Sequence, residues 1–174
     1  MKSLIIGVSD CVVCAEPDAA LVTYALGSCI AVSAYDPVRR AGALLHFMLP
    51  DSDLDRDKAQ ANPYMFADSG IRTLLKLVSQ GGSNPRKCTW RVAGGAQVLD
   101  AGDSFQIGKR NYLAAKKILW KEGLLVAAEA VGGAVSRTVR LDLASGNFWI
   151  REGGGPEIML TKSSHGGSLC LSAC

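Results

Sequence analysis

Residues 21–37 read "LVTYALGSCIAVSAYDP". Two runs of strand-forming residues, 21–25 and 29–35, are joined by Leu26-Gly27-Ser28, and Asp36-Pro37 ends the second by turn chemistry. The neighbouring segments have the same character. Residues 3–9 and 11–15 read as short strands broken by Ser9-Asp10, and 42–48 as a further strand stopped by Pro50. Five successive strands with no helix between them are incompatible with a regular alternation of strand and helix. The expected class is therefore α+β and not a doubly wound sheet.

The helices come later. Ile71, Leu74, Leu75 and Val78 recur at i, i+3, i+4 and i+7, which predicts a helix from near Pro63 to Gly81-Gly82. "NYLAAKKILWKEG" (111–123) predicts a second, with Gly123 as its C-terminal stop. The run "DSDLDRDKAQANP" (51–63) is polar, charged and aperiodic, and reads as a surface loop. Residues 87–93, "LLVAAEAV", "RTVRLDL", "NFWIRE" and 156–162 complete nine or ten strands, with Ser145-Gly146 marking a hairpin. We expect a single domain over 1–162, followed by a flexible tail over 163–174.

Composition narrows the function classes. The chain has 174 residues, 48% hydrophobic and 20% charged, with a net charge of +3 and no long Lys/Arg run. This pattern gives no electrostatic case for nucleic acid or an anionic membrane. No stretch approaches the roughly 20 apolar residues of a membrane span, the start lacks signal-peptide character, and a cytoplasmic protein is expected. No G-x-G-x-x-G or P-loop pattern occurs, so a nucleotide site has no support.

Six cysteines are present: Cys11, Cys14, Cys29, Cys88, Cys170 and Cys174. Without an export signal, disulfides are not expected. Cys11-Val-Val-Cys14 has the spacing of a redox or zinc half-motif, with Cys170, Cys174 and His165 as distant complements. It lies in a predicted strand, however, where positions i and i+3 face opposite sides. No metal is expected.

Cys29 is the chemically suggestive thiol. A nucleophilic cysteine needs access and a base, since a free thiol has a pKa of about 8.5, and it benefits from N–H donors for an oxyanion. Gly27-Ser28-Cys29 can supply such donors from a tight turn. His46, in "AGALLHFMLP" (41–50), lies on a following strand and is one of only two histidines. The same residues also fit a buried core thiol and a core histidine bonded to a backbone carbonyl.

Several motifs extend the pattern. "VTYALGSCIAVSAYDP" followed by "GALLHFMLPDS" closely resembles CheD, the family of bacterial chemoreceptor glutamine deamidases, at Thr23, Leu26-Gly27-Ser28-Cys29, His46 and Met48-Leu49-Pro50. "FADSGIRTLL", "RVAGGAQVL", "IGKRNYLAAKKIL" and "VGGAVSRTV" resemble further family segments, in order, over about residues 3–162. The chain departs from the family pattern at Phe66, where tyrosine is common, at Ala130, where aspartate is expected, and at Ser136, where glycine often stands.

The resemblance implies a layered α/β/β sandwich, strand-rich with two main helices, related to toxin-type glutamine deamidases. It implies Cys29 as nucleophile, His46 as general base and Thr23 as the third member, with Gly27 and Ser28 supporting the turn and oxyanion. It also implies deamidation of receptor glutamines through a thioester, with no cofactor. The implied partners are the cytoplasmic helical domain of chemoreceptors and a CheC-type phosphatase. A mainly regulatory, weakly catalytic module binding that phosphatase is the alternative.

Overall fold

The computed structural model describes residues 2–97 and 106–161. The tail expected over 163–174, with His165, Cys170 and Cys174, lies outside them. Among the described residues, ten strands form two mixed sheets. The first has the order β1 (Lys2–Ile5), β3 (Ala19–Leu26), β8 (Arg137–Asp142), β9 (Phe148–Glu152), β10 (Glu157–Met159). The second has the order β2 (Asp10–Cys14), β5 (Ala41–Phe47), β4 (Ile30–Asp36), β6 (Thr89–Gly94), β7 (Val126–Val131).

The layering follows from side-chain alternation. On β4 and β5, Ile30, Val32, Ala34, Ala43, Leu45 and Phe47 pack with Ile71, Leu74, Ala115 and Leu119 of the helices α2 (Ala67–Gln80) and α3 (Ile107–Lys121). From the opposite face, Ala31, Tyr35 and Leu44 meet Leu21, Leu26, Val139, Leu141 and Phe148 of the first sheet. The result is helices, then sheet, then sheet. β4 and β5 are covered on both sides and buried along their whole length, which is why both read as nearly unbroken apolar runs. The α+β class and the α/β/β layering agree with the sequence expectation.

The valine-separated thiols diverge as the strand period requires. Cys11 packs on the helix side of β2 and Cys14 in the core between the sheets. One face cannot present both to a metal.

The segment expected to be a surface loop is instead short helix. A 3₁₀ turn (Ser52–Leu54), α1 (Arg56–Ala61) and a second 3₁₀ turn (Pro63–Met65) follow one another. None buries a residue, so no hydrophobic period marks them. Caps hold them: the side chains of Asp51, Asp55 and Asn62 accept from the amides of Asp53, Lys58 and Tyr64. The scattered acids read as loop residues are therefore the helix starts.

The same region anchors the end of β5. Leu49 bridges Phe66, the amide of Ala67 donates to the Leu49 carbonyl at 2.8 Å, and Asp68 accepts from the Ser52 amide (2.9 Å) and hydroxyl (2.5 Å). We predict that Asp68→Ala costs about 1.5–3 kcal/mol, the range for hydrogen bonds to a charged group. In urea titration the midpoint should fall with an unchanged m-value. A midpoint matching wild type would mean that Asp68 does not anchor this segment.

Candidate active site

Strand register gathers the suspected residues at one end of the sandwich. Leu26 lies opposite Arg137, Ile30 opposite both Phe47 and Gly94, and Gly94 beside Val131. The β3–β4 turn, the end of β5, the end of β6 and the β7–β8 turn therefore share that end.

Thr23 and His46 come from different sheets and meet between them. β3 carries a bulge between Thr23 and Leu26, with Ala25 at φ 55°. The bulge turns Tyr24 and Ala25 out to solvent while Thr23 and Leu26 both stay buried. His46 is 1% exposed, on the same inward face of β5 as Leu44.

The hydrogen bonds fix the imidazole tautomer. Thr23 Oγ1 donates its single proton to the Ile6 carbonyl at 2.7 Å. At its 2.8 Å contact with His46 Nδ1 the hydroxyl must then accept, so Nδ1 carries the proton. The reverse assignment would leave two bare oxygens facing each other across the Ile6 contact. Nε2 is consequently the unprotonated nitrogen. It is buried and has no hydrogen-bond partner among the described residues, Cys29 included.

Cys29 shares the face of that imidazole. Ala31 pairs with His46 across β4 and β5, and Cys29, two residues before Ala31, packs against the same inter-sheet core. Diagonal neighbours of this kind have backbones roughly 7–8 Å apart, with side chains closer. The thiol is half-buried.

Burial sets the protonation states. It pushes the Cys29 thiol up from its ordinary value, partly offset by the residue's own amide N–H. It pushes the His46 imidazole down to about 4. The resting pair is a neutral thiol beside a neutral base. The lowered thiol pKa that a charged histidine partner can produce is not what this site shows, because desolvation dominates and the neighbouring imidazole is itself neutral.

The loop carrying Cys29 is tied down from beneath. Its carbonyl accepts from the Gly95 amide, and the Gly27 carbonyl from the Ala96 amide, each at 2.8 Å. Gly94, at φ 111°, lies so close that a Cβ there would collide with the Cys29 carbonyl. Buried Arg137 holds the neighbouring glycine turn through the Gly132 carbonyl (2.6 Å), with its charge met by Glu152 at 2.7 Å. Among the described residues, the amides of Ser28 and Cys29 have no hydrogen-bond acceptor in the protein apart from the sulfur of Cys29 itself.

Structure adds one residue that sequence reading did not single out. Asn111, fully buried on α3, donates from Nδ2 to the Ser28 carbonyl (2.9 Å) and the Met48 carbonyl (2.6 Å). Its signal was available: it sits on the buried stripe Gly108, Asn111, Ala115, Leu119, where an amide is out of place. The departures lie on elements around the site, with Ser136 in the β7–β8 turn itself. Phe66 is buried at the start of α2, Ala130 is buried on β7 in the inter-sheet core, and Ser136 accepts from the Gly153 amide.

Comparison with known proteins gives a consistent result. Residues 48–152 match the family model "CheD chemotactic sensory transduction". A protein of Solibacter usitatus named probable chemoreceptor glutamine deamidase CheD is 53% identical over 154 residues, covering 88% of this chain and 91% of the relative. A Syntrophus aciditrophicus protein, probable chemoreceptor glutamine deamidase CheD 1, is 46% identical over 90% of this chain and 98% of its own. One from Thermococcus kodakarensis, with the same description as the first, is 34% identical over 84% and 91%.

The buried imidazole predicts a pH dependence of stability. With a folded pKa of about 4 against 6.5 unfolded, His46 contributes fully above pH 6.5. As pH falls, the unfolded chain takes up the proton first, and the contribution is lost progressively down to about pH 4. The loss amounts to about 3 kcal/mol at 1.36 kcal/mol per unit. The stability difference between wild type and His46→Gln, measured by denaturant titration, should be constant above pH 6.5 and shift by that amount by pH 4. A difference that does not change with pH would show that the imidazole is not held neutral by burial.

Proposed function

We propose that this chain, which belongs to the CheD family, is a protein-glutamine deamidase: it hydrolyses glutamine side-chain carboxamides of chemoreceptors to glutamate, with Cys29 as nucleophile and His46 as general base. The observation that carries this reading is the relay Ile6 carbonyl, Thr23 hydroxyl, His46 Nδ1–H, which leaves a bare Nε2 on the face shared with Cys29.

The chemistry follows from that arrangement. Nε2 takes the Cys29 proton as Sγ attacks the carboxamide carbon, so thiolate forms only as it is consumed. The otherwise unclaimed Ser28 and Cys29 amides are suited to receive the oxyanion. As the tetrahedral intermediate collapses, the C–N bond breaks and imidazolium gives its proton to the departing nitrogen, releasing ammonia. A Cys29 thioester remains. Water attacks it, giving a proton to Nε2; the sulfur departs and recovers that proton. The products are glutamate and free thiol. Throughout, Thr23 accepts from Nδ1–H and holds the ring, much as the third residue of a triad does. Because the hydroxyl is neutral, it stabilises imidazolium less than a carboxylate would.

No helix among the described residues is long and apolar enough to cross a membrane. A substrate on the cytoplasmic helical domain of a receptor would place the enzyme in the cytoplasm. A mainly regulatory role with a CheC-type phosphatase would require neither the bare Nε2 nor the Thr23 relay, and their presence supports the catalytic reading.

The test is mass mapping of a cognate receptor's cytoplasmic fragment after incubation with the protein. Glutamine-to-glutamate conversion at defined sites is expected with wild type and none with Cys29→Ala; conversion by Cys29→Ala would mean the nucleophile is misassigned. Among variants, His46→Gln should lose roughly 10²–10⁴-fold in kcat, as removal of a general base does. Thr23→Val, which only frees the ring, should lose less. The reverse order in turnover assays would give Thr23 a direct part in the chemistry.

A further inference from the structure

The β4–β5 ladder pairs Ala31 with His46 and ends at Ile30 and Phe47, so two backbone pieces, Ser28-Cys29 and Met48, lie just beyond its last pair. Cys29 ends the β3–β4 turn, and His46 lies near the end of β5, two residues before Met48. Asn111 reaches both pieces. Its Nδ2 carries two protons, and each meets a carbonyl: Ser28, which precedes the nucleophile, and Met48, which follows the base by two residues.

Only one orientation of the amide works. Rotated by a half turn, Oδ1 would face two carbonyl oxygens with no proton between them. The working orientation has a cost. Oδ1 is buried without a hydrogen-bond partner among the described residues, a state that costs stability and calls for an explanation. Close approach of the helix makes the reach possible: at Gly108, one turn earlier on α3, a Cβ would collide with the Gly95 backbone, itself bonded to Cys29.

We propose that Asn111 is a positioning residue for the deamidation: it clamps the Cys29 turn to the end of β5 and so sets the approach of Sγ to His46 Nε2. The inference rests on the Cys29–His46 reading of the preceding subsection. It assigns Asn111 no contact with substrate. A side chain that merely filled space would need neither donor. Small losses of alignment between nucleophile and base are costly, because the proton must move as the bond forms.

The experiment follows alkylation of Cys29 by chloroacetamide at neutral pH, monitored by peptide mass in the full chain. This readout needs no receptor, so it separates the clamp from the question of substrate. Wild type, Asn111→Ala, His46→Gln and the double variant form a cycle. The expected result is that Asn111→Ala and His46→Gln each slow Cys29 alkylation about tenfold or more. In the double variant Asn111→Ala should add less than twofold, because the base it aligns is gone. With a receptor fragment, Asn111→Ala should lower kcat with KM within twofold of wild type.

Equal slowing on both His46 backgrounds, or unchanged alkylation by Asn111→Ala, would overturn the clamp. If His46→Gln does not slow alkylation, the base assignment fails and the clamp with it. Asn111→Ser, which keeps one donor, should fall between wild type and Asn111→Ala. It replaces the alanine variant if that fails to fold. Failure of both to fold would assign Asn111 to the fold alone and overturn the proposal.

Discussion

The Thr23–His46 hydrogen bond crosses the gap between the two sheets, and the site depends on it. Thr23 belongs to the outer sheet and His46 to the sheet sandwiched between it and the helices. Neither is useful alone: without the hydroxyl the imidazole has no fixed tautomer, and without the imidazole a buried hydroxyl is half satisfied. The packing of Leu21, Leu26, Leu44 and Val139 around them holds the sheets at the separation that lets a 2.8 Å contact form. The apolar core is thus what positions the one polar relay, and the relay aims Nε2.

Burial then decides the chemical character of the pair. Both groups lose solvation, so both prefer their neutral forms. A preformed thiolate–imidazolium pair would need a charged neighbour to offset that cost, and threonine is not one. On the proposed reading, thiolate forms only when a carboxamide arrives. A neutral thiol is less open to adventitious oxidation or alkylation than a standing thiolate.

Much of this was legible in the sequence, for identifiable reasons. β4 and β5 are buried on both faces, and "IAVSAYD" and "ALLHF" show it as apolar runs. Cys11 and Cys14 were separable by strand parity alone. Ile71, Leu74 and Val78 announced α2 through their spacing. The family resemblance supplied Thr23, which no periodicity distinguishes from any other strand threonine. Two features were not legible. Residues 51–63 form helix through caps without a buried face, so the periodic signal on which such reading depends is missing. Asn111 could be noticed as an amide on a buried stripe, but its role could not be read, because its partners are backbone carbonyls 83 and 63 residues away in sequence. Burial, which no local pattern reports, raises the Cys29 thiol and lowers the His46 imidazole.

The central claim is that His46 waits as a neutral base with its proton on Nδ1 and Nε2 bare toward Cys29. Long-range ¹H–¹⁵N NMR of the histidine-labelled protein at neutral pH measures this directly. The account predicts a protonated Nδ1, an unprotonated Nε2 and no titration of the His46 ring until the pH approaches 4. Imidazolium at neutral pH, or the opposite tautomer, would contradict it.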